Sequence, residues 1–164
     1  MSRVDTADTE RTCKVMPEHR GIEEVRRFAE LAVSYCDAEC REATAMVATE
    51  LAENIVKYGT KGASPFVGTV SIAAKADMVR ITARNEVASA RDALSVKQAI
   101  GQISATNDVM ALYRSRLAKL FASPSLPRAQ LGLLRAAFEG GFRLSCSYDP
   151  PTLSIVAERG CKTL

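Results

Sequence analysis

The sequence predicts an α+β fold: a two-layer sandwich with a mixed, mostly antiparallel sheet and helices on one face. Two observations lead there. Two stretches, 66–83 and 142–158, each carry a pair of short alternating apolar runs around a turn, the pattern of a hairpin. The segments before and between them repeat their apolar residues with a helical period instead. Runs of helices broken by hairpins suit helices laid over a mostly antiparallel sheet.

Taken in order, residues 1–9 read as a flexible polar tail and 10–164 as a single domain. Thr12 to Met16 reads as a short edge strand closed by Pro17. Gly21 to Ser34 places Ile22, Val25, Phe28, Ala29, Leu31 and Ala32 at helical spacing. A second helix is expected from Asp37 to Tyr58, with Asp37 as its N-cap and Gly59 as the C′ residue that ends it. Thr60 to Pro65 has turn chemistry. Phe66–Ala73 and Met78–Ala83 follow as strands joined through Lys75-Ala-Asp77. Ala88–Ile103 and Asp108–Phe121 read as helices, and the two prolines in 122–127 break the chain. Gln130–Phe138 is a further helix ending at Gly140-Gly141. Phe142–Tyr148 and Leu153–Glu158 close the chain as a hairpin around Asp149-Pro-Pro.

Apolar residues make up 47% of the 164 and charged residues 25%, an ordinary globular balance. No apolar run is long enough to span a bilayer, and the polar first residues lack the apolar core of a signal peptide. The cytoplasm is the expected location. A net charge of +3 with no basic cluster gives no support to a nucleic-acid partner. The cysteines are Cys13, Cys36, Cys40, Cys146 and Cys161, beside one histidine, His19. Cys36 and Cys40 can share a helix face, but there is no paired CxxC pattern, so reduced, mostly buried thiols are expected. A single histidine also limits Ser-His-Asp chemistry.

One feature of the second helix does not follow from packing. On a wheel of about 100° per residue, Asn54 falls inside the apolar stripe of Ala43, Val47, Leu51 and Ile55, and Glu50 falls on its edge. Glu53 and Lys57 lie outward, where solvent is expected. An amide buried without partners costs roughly 1–3 kcal/mol, and a carboxylate costs more. Either Asn54 bonds to nearby backbone while Glu50 reaches water, or the pair serves a ligand. An amide oxygen and a carboxylate one turn apart suit a hydrated magnesium ion bridging to phosphate, with the carboxylate as a base.

The run Glu50-Leu-Ala-Glu-Asn54-Ile-Val-Lys57-Tyr58-Gly59 resembles the N box of the GHKL ATPase superfamily. It is closest to the form in small bacterial serine/threonine kinases that phosphorylate anti-sigma antagonists. The resemblance implies a histidine-kinase-like ATPase fold, Glu50 as base, Asn54 as magnesium ligand and Lys57 as a basic residue near phosphate. Asn85 stands where the G1 box has an aspartate that receives the adenine amino group, and the glycines after it are absent. Gln130-Leu-Gly132-Leu133-Leu-Arg135 resembles the G2 box, a helix start that holds phosphate through backbone N–H groups. The order of elements is also similar to the SiaB-type branch, whose members phosphorylate a small partner protein.

The expected function is therefore an ATP- and magnesium-dependent serine/threonine protein kinase. Its substrate would be a small STAS-domain or SiaC-like protein in a partner-switching circuit that can include a sigma factor. The alternative is a GHKL-fold binding module that has lost catalysis and sequesters such a partner. An unrelated α+β domain with a chance N box is the third reading. Arg114, Arg116, Lys119 and Arg128 lie in the segment matching the ATP lid, where they either meet phosphate or are simply solvated. Leu112, Tyr113, Leu117, Leu120 and Phe121 form either a docking stripe or part of the core. Kinases of this type are often dimers, and the first strand could pair across an interface.

Overall fold

The computed structural model describes residues 9–75, 77–123 and 129–164. The elements run β1 (Thr9–Val15), α1 (His19–Ala32), α2 (Ala38–Tyr58), β2 (Gly68–Ala74), β3 (Met78–Glu86), α3 (Ala90–Ala105), α4 (Val109–Ala122), α5 (Ala129–Phe138), β4 (Arg143–Asp149) and β5 (Thr152–Gly160). The strands form one sheet in the order β1-β2-β3-β5-β4. Every ladder is antiparallel, so among the described residues the expected mixed sheet is wholly antiparallel. The reason is local: β2–β3 and β4–β5 are both hairpins, and β5 returns beside β3 in the opposite direction.

Alternation fixes which face is covered. In β3, Val79, Ile81, Ala83 and Asn85 are buried while Arg80, Arg84 and Glu86 are exposed. In β5, Leu153, Ile155 and Ala157 are buried in the same way. A period of two with one dry face is that of a sheet covered on one side. The buried side chains of α2 and of the sheet belong to one core.

Helix α2 is the central helix of the layer, with Leu51 and Val47 fully buried and Ile55 nearly so. Burying such a side chain contributes roughly 1.5–3 kcal/mol. Asp37 caps it as expected, its carboxylate accepting from the Cys40 N–H at 2.8 Å. Gly59 ends the helix, but not as a left-handed C′ residue: its φ of −66° and ψ of 138° are extended. Close approach is what requires glycine there, because a Cβ would lie 2.5 Å from the Ile55 carbonyl and 2.8 Å from that of Val67. The backbone at Gly59 instead bridges to Val87, docking the helix end against the end of β3.

Several boundaries differ from expectation. Strand β1 starts at Thr9, so the tail loses its last residue; residues 1–8 lie outside the described residues. Strand β3 runs on to Glu86, because Asn85 and Glu86 continue its ladder with β5. Helix α4 ends at Ala122, and most of the proline-bearing segment 122–127 lies outside the described residues, as does Arg128. The thiol expectation is also corrected: Cys40 and Cys161 form a disulfide, leaving Cys13, Cys36 and Cys146 free. The first turn of α2 meets the segment after β5, and the two Cα atoms stand 5.9 Å apart, within disulfide reach. Among the described residues, no helix is long and apolar enough to cross a membrane.

Candidate functional site

Glu50 projects from the middle of α2 toward the first turns of α5. Its Oε1 accepts from Arg135 Nη1 at 2.9 Å. Arg135 Nε in turn donates to Glu139 Oε2 at 2.8 Å, and the Tyr113 hydroxyl donates to Glu139 Oε1 at 3.1 Å. The ring of Tyr113 packs on Phe138 with centroids 5.4 Å apart, tying α4 to α5. Gly132 faces Glu50 directly, and a Cβ built there would collide with Glu50 Oε2. This glycine lets α5 sit against the carboxylate.

Electrostatics make Glu50 a stronger base than an exposed glutamate. Burial raises its carboxyl above the ordinary range, and the charge of Glu53 adds to the shift. Arg135 pulls the other way through its hydrogen bond and charge without cancelling the rise.

Asn54 lies one turn further along α2 and is 7% exposed. Its Nδ2 is buried and has no hydrogen-bond partner among the described residues. An unpaired buried donor costs roughly 1–3 kcal/mol, so this amide is not explained by folding. The reading in which Asn54 bonds to neighbouring backbone while Glu50 reaches water is thus not met at Asn54 Nδ2, and Glu50 pairs with Arg135.

The remaining sequence-derived residues divide. Lys57 is exposed, with its ammonium 5.3 Å from the centre of the Tyr58 ring. Leu133 is 2% exposed and belongs to the core, so its side chain packs and only its backbone could meet a ligand. Asn85, at the end of β3, is 8% exposed and donates from Nδ2 to the Glu86 carbonyl at 3.2 Å. It lines a cavity of about 490 Å³ together with Lys14, Thr60, Phe66, Arg84 and Thr152. Neither this cavity nor one of about 300 Å³ beside Arg26 and Arg41 is lined by Glu50, Asn54 or Gly132. The structure thus brings Glu50 and Gly132 into contact and places Asn85 in a different recess. On α4, Arg114 and Lys119 are exposed. Leu112 and Tyr113 pack partly against the core, whereas Phe121 is 84% exposed.

Arg135 is the residue that sequence reasoning did not place. It follows Gly132 by three positions, so the two share a helix face, and that spacing was the available signal. No protein family matches the chain, and no curated protein is significantly similar to it.

Proposed function

We propose that this chain is an ATP-dependent serine/threonine protein kinase of the GHKL type, acting on a small regulatory protein of the STAS or SiaC-like kind. The observation that carries the reading is the pair on α2. A carboxylate with a raised pKa sits one turn from a buried amide whose donor has no partner. The Arg135 ion pair gives the carboxylate a partner, but no described residue gives the amide donor one.

Glu50 accepts the proton of the incoming serine or threonine hydroxyl, a task that suits a carboxylate shifted toward neutrality. Asn54 offers an amide oxygen for magnesium and an unpaired N–H for a phosphate oxygen. A lone amide oxygen beside a carboxylate fits that ion, which takes few protein ligands and keeps waters and phosphates. Magnesium, when bound, neutralises charge on the phosphate oxygens. The N–H groups of the first turn of α5, near Gly132, which a helix leaves without intrahelical acceptors, receive phosphate. Asn85 donates from Nδ2 to its own strand, which leaves Oδ1 as the acceptor for an adenine amino group. Phosphorylation then changes what the partner binds by adding charge, in a cytoplasmic switching circuit that can include a sigma factor.

The second reading is a binding module with the same fold. It is favoured by the closed contact of Gly132 on Glu50 and by the Arg135 ion pair, which together occupy the space beside the carboxylate. Calorimetric titration with ATP and ADP, with and without magnesium, separates the two. Binding strengthened by magnesium supports the kinase; no heat at millimolar nucleotide removes it. If ATP binds, Glu50→Gln is expected to keep binding and abolish transfer to the partner, and equal transfer by both proteins would show that Glu50 is not the base. Asn54→Ala is expected to weaken only the magnesium-dependent part of binding.

A further inference from the structure

The ends of three segments meet far from the α2–α5 contact. Cys36 lies in the turn before α2, Cys40 in the first turn of α2, and Cys161 just after β5. Their sulfur atoms all lie within 4.8 Å of one another. The three residues are 0%, 1% and 8% exposed. Cys36 remains a free thiol beside the Cys40–Cys161 disulfide. Backbone bonds hold the cluster together. The Asp37 N–H donates to the Lys162 carbonyl at 3.0 Å, the Leu164 N–H to the Tyr35 carbonyl at 3.0 Å, and Cys36 bridges Thr163.

Three converging sulfurs exceed what a disulfide needs. We propose that, when reduced, Cys36, Cys40 and Cys161 form a three-thiolate site for a soft, thiophilic cation of the monovalent copper class. Thiolate ligands select such ions. The choice over zinc rests on coordination number. Structural zinc takes four ligands. Among the described residues, no histidine or carboxylate joins the three sulfurs as a fourth donor, and the Thr44 hydroxyl, 3.9 Å from the Cys40 sulfur, is a poor metal ligand. The burial of all three sulfurs also leaves little access for water as a fourth ligand.

The disulfide and the metal compete for the same two sulfurs, so loading is gated by redox state. A dithiol opens the Cys40–Cys161 bond by exchange: it supplies two electrons and two protons, and becomes a disulfide itself. The cluster is then left with three thiols, those of Cys36, Cys40 and Cys161. Binding the cation releases their protons to solvent and forms three metal–sulfur bonds.

The test uses the full chain, reduced anaerobically with a phosphine that is oxidised to its oxide with oxygen from water. The chain is then titrated with monovalent copper and, separately, with zinc, against a competing chelator of known affinity. The expected result is a thiolate-to-metal charge-transfer absorption that saturates at one copper per chain, together with a rise in Tm. The non-reduced protein should show neither. Cys36→Ser keeps the disulfide pair and removes only the third sulfur, so its copper affinity should fall at least tenfold. Cys13→Ser and Cys146→Ser should bind as wild type, which guards against a variant that merely misfolds. Saturation absent at one equivalent, or Cys36→Ser binding as tightly as wild type, overturns the site. Zinc binding more tightly than copper overturns the three-coordinate assignment.

Discussion

At the scale of single residues, Glu50 carries the most chemistry, and its titration is open to measurement. Burial, the leading cause, and the charge of Glu53 raise its carboxyl above the ordinary range in spite of Arg135. The folded chain therefore holds this proton more tightly than the unfolded chain does. The stability contributed by the group is complete below the ordinary glutamate value and is lost as pH rises through the raised one. Glu50→Gln has no proton to lose there. The stability of the variant relative to wild type is thus expected to improve steadily as pH rises across that window, in urea melts repeated at each pH. A difference that stays flat or moves the other way would show that Arg135 outweighs burial. Asn54 poses the complementary case. The wheel placed it inside the stripe, and its 7% exposure bears this out. What the sequence did not contain was the guanidinium on Glu50, because Arg135 lies 85 residues away and no local period links the two.

At the scale of elements, the helices and hairpins were legible because each is specified by neighbours in sequence. Periodicity fixed α1, α2, β2 and the start of β3 to within about two residues of their observed bounds. Departures arose where tertiary pairing extended an element, as in β3, whose last residues are held by β5 rather than by their own pattern. Gly59 shows the same limit. A glycine after a helix predicts a left-handed cap, yet here it is required by the strand end packed over it. Gly59→Ala tests that account. Its Cβ would press on two backbone carbonyls that cannot swing aside, so a loss of about 1–3 kcal/mol is expected, in the range of overpacking. A cap effect alone would leave Gly59→Asn better tolerated than Gly59→Ala. Close approach predicts that asparagine is at least as damaging. For comparison, Leu51→Ala on the buried face of α2 should cost about 2–5 kcal/mol.

At the scale of the whole molecule, the covalent link between layers was beyond sequence reasoning, since Cys40 and Cys161 are 121 residues apart and nothing in the spacing pairs them. Its position gives it leverage. Strand β5 lies inside the sheet, between β3 and β4, and the residue just after it is tied to the first turn of the central helix. The bond therefore fastens the helical layer to an inner strand. Closing so long a loop restricts the unfolded chain, and native disulfides of this kind contribute about 2–4 kcal/mol. Reduction in the presence of a metal chelator, so that no cation replaces the bond, should lower the unfolding free energy by that amount. Urea melts would read it as an earlier midpoint, with a steeper slope because the reduced unfolded chain exposes more surface. The folded circular-dichroism spectrum should persist, since the core of α2 against the sheet does not depend on the link. Unchanged stability after verified reduction would mean that noncovalent links, among them the backbone bonds Asp37–Lys162 and Leu164–Tyr35 and the Arg159–Glu39 ion pair, hold the two layers at this corner. Collapse of the spectrum would mean that the disulfide, rather than apolar burial, secures the last strand.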